Sequence, residues 1–79
     1  MTKIINWTNF SDEMPKENQW YLVAMEDSIP MLGYIKIESK NDMKLYSFEY
    51  HRGDTKCTIY FDEKNHHGLF AWVLDGDLF

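Results

Sequence analysis

Apolar residues recur along this chain with a period close to two rather than 3.6, the spacing of strands in a sheet. The alternation is clearest over residues 44–50, where Tyr46, Phe48 and Tyr50 share one face and Leu45, Ser47 and Glu49 the other. Residues 56–62 form its natural hairpin partner, with Cys57, Ile59 and Phe61 opposite Thr58 and Tyr60. Between them, His51-Arg52-Gly53-Asp54 has the composition of a tight turn in which Gly53 can take a positive φ. Over 31–38, Met31, Gly33, Ile35 and Ile37 alternate with Leu32, Tyr34, Lys36 and Glu38, which predicts a strand with one wetter face. The run Trp-Tyr-Leu-Val-Ala-Met-Glu at 20–26 is nearly continuous in apolar residues, as a strand covered on both faces would be. A last short strand spans 69–74, with Phe70, Trp72 and Leu74 on one side. Asp27-Ser28-Ile29-Pro30, Ser39-Lys40-Asn41-Asp42 and the polar stretch 63–68 separate these runs.

Only the N-terminal segment has a helix signal. Ser11 is suited to cap a turn at Asp12-Glu13-Met14, and both acids favour the positive end of a helix dipole. Pro15 limits it to a single turn. Trp7 and Phe10 are expected to lay this segment over one face of the sheet and close a core that a bare meander leaves open. With no internal repeat and no linker, residues 1–79 predict one domain, α+β to mainly β. Its centre is an antiparallel sheet of about five strands, with the N-terminal segment or a short helical turn packed on it.

Composition narrows the functions open to such a domain. Thirteen acidic against eight basic residues give a net charge of -5, which opposes generic binding to nucleic acid. The lysines are scattered singly and Arg52 is the only arginine, so no basic stripe offsets that balance. No apolar stretch approaches the roughly 20 residues of a membrane span, and the opening Met-Thr-Lys-Ile-Ile-Asn-Trp is not expected to act as a signal peptide. The single Cys57 excludes an internal disulfide and suits a reducing cytoplasm.

Chemistry-bearing residues are few. Cys57, Asp62, His66 and His67 lie close in sequence, yet neighbouring histidines point apart and no repeated ligand pair closes a tetrahedron, so no metal or other cofactor is expected. Cys57, between inward-facing neighbours, reads as a small buried thiol. His51, His66 and His67 fall in or beside turns, where surface hydrogen bonding is the ordinary role, and a chain of this size offers little volume for a substrate pocket. Glycines 33, 53, 68 and 76 are isolated and form no phosphate cradle. The residues predict a protein that is not an enzyme.

Charge by position is more informative. Residues 1–27 carry five acids and two lysines, 28–53 three acids and four bases, and 54–79 five acids and two lysines, balances of -3, +1 and -3. If the ends meet in space, Asp12, Glu13, Glu17, Asp62, Glu63, Asp75 and Asp77 form an acidic face suited to a basic surface on another protein, with all but Glu17 as its candidate partner-binding residues. The plainer alternative is a solvated surface that keeps a ring-rich domain soluble. The closing Asp75-Gly76-Asp77-Leu78-Phe79 couples acids to apolar residues, with Phe79 either folded into the core or held by a partner.

The order Trp7, Met14-Pro15 and Leu22-Val23 within residues 7–23, with the late Ala71-Trp72-Val73-Leu74, resembles the domain of unknown function 551 family of small phage and prophage proteins. Where that family continues into a Pro-rich tail, this chain continues as Asp75-Gly76-Asp77-Leu78-Phe79. The resemblance implies a viral or mobile-element origin, the bacterial cytoplasm as setting, and no catalytic residues. In size and charge the chain is also similar to phage anti-CRISPR-type inhibitors. The expected activity is then to bind and inhibit a host complex with a basic surface, such as a nucleic-acid-processing defence system. The alternative is a small homo-oligomeric accessory protein, a homodimer for example, whose exposed rings are buried between subunits.

Overall fold

In the computed structural model, which describes residues 5–26 and 28–78, the alternating runs become the strands of one antiparallel sheet. They are β1 (Thr8–Asn9), β2 (Gln19–Met25), β3 (Met31–Lys40), β4 (Met43–Arg52), β5 (Thr55–Phe61) and β6 (Leu69–Leu74), and a 3-10 turn at Asp75–Leu78 follows. Spatial order is β1-β6-β2-β3-β4-β5. Strands β2 to β5 form the expected meander; β6 then returns to the other side of β2 and β1 pairs with β6. There are thus six strands among the described residues rather than five.

Both tight hairpins follow from their turn residues. Asn41 and Asp42 join β3 to β4 with positive φ at both positions, the backbone of a type I′ turn that suits strand twist. Gly53 alone takes positive φ in the Gly53-Asp54 turn between β4 and β5, as a type II′ turn requires.

Register sorts the side chains onto two faces. Tyr21, Val23, Ile35, Tyr46, Phe48, Tyr50, Phe61 and Leu69 are buried on one, with Ile37, Cys57, Ile59, Trp72 and Leu74 packed around them. Rings dominate this core: Tyr46 stacks on Phe61 at 5.2 Å, Phe48 on Tyr50 at 5.1 Å, and Tyr21 meets Trp72 edge-on at 5.4 Å. Gly33 pairs with both Tyr21 and Tyr50 and leaves the space that the Phe48 ring occupies.

The N-terminal segment covers this face, with Phe10 and Pro15 buried and Phe10 edge-on to Phe61 at 5.4 Å, while Trp7, expected to pack with Phe10, is exposed. Its path is pinned by hydrogen bonds, among them the Tyr21 hydroxyl donating to the Glu17 carbonyl at 2.7 Å. Phe10 N–H donates to the Phe70 carbonyl, the Trp72 indole N–H donates to the Glu13 carbonyl at 2.9 Å, and the Asn18 side-chain oxygen accepts from Ile37 N–H at 2.7 Å. The expected helical turn after Ser11 is instead a hydrogen-bonded turn in which the Asn9 carbonyl accepts from both Asp12 and Glu13 N–H. Pro15 has no N–H to extend it.

Two expectations about faces change. A bulge between Ala24 and Met25 of β2 and Leu69–Ala71 of β6 inserts Phe70 as an extra residue, so Leu69 rather than Phe70 joins Trp72 and Leu74 on the core face. Phe70 is exposed. Strand β2 is fully covered on one face, where Tyr21 and Val23 are buried; on the opposite face Leu22 and Ala24 are half-buried beside the buried Val73 and Ala71 of β6, and Trp20 is half exposed. Among the described residues no helix is long and apolar enough to cross a membrane.

Candidate partner-binding site

Two segments far apart in sequence meet at one end of the sheet. The turn after β1 brings Asp12 and Glu13, and the loop after β5 brings Glu63, to the rim of one open cleft of about 380 Å³. Its floor is Phe10, Pro15 and Tyr46, and Lys16 and Lys44 stand among the acids. Glu13 pairs with Lys16 at 3.5 Å, both well exposed, which in water adds little to stability. Asp12 is steadied by the Asn9 side-chain amide at 3.4 Å. Tyr46 is buried against this rim, and burial, with Glu63 adding to it, holds its phenol above the ordinary tyrosine range.

A second cleft of about 420 Å³ adjoins it, lined by Asp42, Met43, Lys44, Asp62, Glu63 and Lys64. Asp62 lies here, but its carboxylate serves its own loop. Oδ1 accepts from the backbone N–H groups of Lys64 and Asn65, each at 2.8 Å, and Asp62 N–H donates to the Asn65 carbonyl. Those N–H groups hold its carboxyl below the usual carboxylate range. The Asn65 side chain repeats the device on His67 N–H at 3.0 Å, where His67 takes a positive φ, and Leu69 N–H closes the loop on the His66 carbonyl.

Asp75 and Asp77 stand elsewhere. They occupy the 3-10 turn after Leu74, at the far end of β6 from the 62–68 loop, a strand of six residues spanning about 17 Å. The fold therefore brings Asp12, Glu13, Asp62 and Glu63 to one end and sets Asp75 and Asp77 apart. Phe79 lies outside the described residues. The same end holds Asp42 and Lys44, which sequence reading did not place there; both come from the β3–β4 hairpin, and only its pairing reveals where they stand.

The candidate ligand and base residues are dispersed. Cys57 is half-buried on β5 opposite Tyr50, and His51 lies on the other face opposite Lys56. His66 packs on the Phe10 ring at 5.8 Å, its Nε2 3.2 Å from the Glu63 carbonyl. Among the described residues no three His, Cys, Asp or Glu side chains gather as a metal site would need.

Outside the acidic end, the face opposite the core carries Trp20, Leu22, Leu32, Tyr34, Leu45 and Tyr60. Trp20 and Tyr34 are paired in register and meet edge-on at 5.8 Å. The sequence pattern places Trp20 and Leu22 on a strand covered on both faces and Leu32 and Tyr34 on a wetter face; the signal for a patch is that the outward positions of β2 and the first two of β3 are apolar. No family model, curated protein or solved structure matches the chain.

Proposed function

We propose that this chain is a non-enzymatic binding protein of phage or mobile-element origin that inhibits a host complex by covering one of its basic surfaces, a nucleic-acid-processing defence system being the fitting class. The observation that carries this reading is the meeting of Asp12, Glu13 and Glu63 at one rim, from segments some fifty residues apart in sequence. Their carboxylates are exposed and, among the described residues, only Glu13 has an ion-pair partner, so they can exchange solvent for lysine or arginine on a target. Asp62 belongs to this surface as a loop-builder that presents Glu63, and Asp42 extends it. Asp75 and Asp77 form a separate, smaller acidic point.

The test is capture of a partner from bacterial lysate with the intact protein and two charge-reversed forms. Asp12→Lys, Glu13→Lys and Glu63→Lys together are expected to abolish capture of the partner that the native chain retains, while Asp75→Lys with Asp77→Lys leaves it. Capture that survives the first triple change removes the electrostatic mechanism.

A further inference from the structure

We propose that the open face of the sheet is the interface of a two-fold homodimer, in which a second copy of this chain lays the same face against it. This goes beyond the acidic end, which the face adjoins at Met43, a residue that also lines the second cleft. Of the nine large hydrophobic side chains exposed among the described residues, five stand on this face by register: Trp20 (50%), Leu32 (48%), Met43 (60%), Leu45 (44%) and Tyr60 (74%). An antiparallel sheet with a solvated face ordinarily alternates apolar-in with polar-out. Here the outward positions of β2 and the start of β3 are all apolar: Trp20 and Leu32 are exposed, Leu22, Ala24 and Tyr34 are half-buried, and Val73 of β6, which pairs with Leu22, is already buried within the chain. That is a contiguous apolar patch with an aromatic pair in it, the composition of an interface centre rather than a wetted face.

Charge selects the occupant. The outward positions of β3, β4 and β5 carry Lys36, Lys40 and Lys56 against Glu38 and Glu49, a balance of +1, so the remainder of a chain of net charge -5 carries -6. Both carboxylates are already matched within the chain, Glu38 by Lys36 at 3.0 Å and Glu49 by Lys56 at 3.4 Å. A strongly basic or acidic partner finds no opposing field on such a surface. A second copy does not meet here the repulsion that its acidic end would impose, and its own paired charges face a balanced border. Area permits the pairing as well: a standard interface takes roughly 800 Å² from each partner. The chain's principal extents of 47 × 30 × 21 Å give its broad side more than that. The product is two sheets face to face, about 10 Å apart, with Trp20 and Tyr34 of each copy near the axis.

Sedimentation equilibrium across a concentration series tests this. The native chain is expected to pass from 9.5 kDa to twice that mass as concentration rises, with a shift of tryptophan emission that is absent in Trp20→Phe. Leu32→Lys places like charges across the two-fold axis and is expected to weaken association at least 100-fold, and Tyr60→Lys, at the most exposed of these positions, serves as a second variant. Unchanged thermal unfolding of the diluted variants shows that each is folded. A native chain that stays monomeric up to about 1 mM overturns the proposal. So does a dimer that neither substitution weakens, because it would then be held through another surface such as the free edge of β5.

Discussion

Single atoms decide two positions in this small domain. A Cβ at Gly33 would stand 2.6 Å from the Phe48 ring and closer still to the Glu49 carbonyl, a backbone group that cannot swing away. Gly33→Ala therefore forces the β3–β4 ladder apart or displaces a fully buried ring, at a cost of about 1–3 kcal/mol. Gly53 has open space around it but a φ of 60°, so Gly53→Ala meets only the left-handed penalty, roughly 1 kcal/mol. Urea unfolding of the two variants is expected to rank Gly33→Ala as the more damaging; the reverse order would mean that the turn limits stability more than the packing does. Asp62 acts through protons. Its carboxyl titrates below the ordinary value because two backbone N–H groups favour the charged form. The stability it contributes is full above the ordinary aspartate range and is lost as pH falls through its depressed folded value. Asp62→Asn keeps an acceptor oxygen but gives up the charge, so its melting temperature is expected to lie below native at neutral pH and to converge with it in acid. Parallel melting profiles from neutral to acid pH would show that the carboxylate charge plays no part in the loop.

The five longer strands were legible because β3, β4 and β5 alternate over six residues or more, because β2 and β6 stand out as apolar runs bounded by turn residues, and because Gly53 and Asn41-Asp42 sit where two-residue turns need them. What escaped reading has identifiable causes. Strand β1 is two residues long, below the length at which periodicity exists, and is held by pairing Thr8 and Asn9 with Trp72 and Ala71. The bulge at Phe70 adds one residue and so inverts the parity before it, which no count of alternation can foresee. The capping signal at Ser11 was real as a turn signal, yet Asn9 rather than Ser11 organises it, through a carbonyl that accepts two N–H groups. The continuous apolar run in β2 misled most usefully. Apolar residues on both faces of a strand predict cover on both faces; the chain covers one fully, through Phe10 and Pro15, and the other only in part, where Leu22 and Ala24 are half-buried and Trp20 is half exposed. Of the six acids singled out, their signs and exposure were readable, but their grouping was not, since it depends on β6 returning beside β2 and carrying Asp75 and Asp77 away from the loop at 62–68.

At the scale of the whole molecule, net charge is unevenly distributed, and that makes the two proposed surfaces separable by salt. The open face balances at +1 while the whole chain carries -5, so two copies brought together repel at long range although their contact is apolar. Raising ionic strength shortens the Debye length to about 8 Å at 0.15 M and removes most of that repulsion. Self-association is therefore expected to tighten as salt rises, since the apolar contact itself is not screened. Capture of a basic partner by Asp12, Glu13 and Glu63 is expected to do the opposite, because exposed carboxylates pairing with lysine or arginine lose attraction in the same salt. Measuring both equilibria over one salt series reads the two surfaces independently. Association that weakens with salt would place charged groups at the centre of the dimer and shift the interface from Trp20 and Leu32 toward the band of Lys36, Glu38 and Glu49. Capture indifferent to salt would move the partner contact from the acidic rim to the apolar face, where the second copy would compete with it.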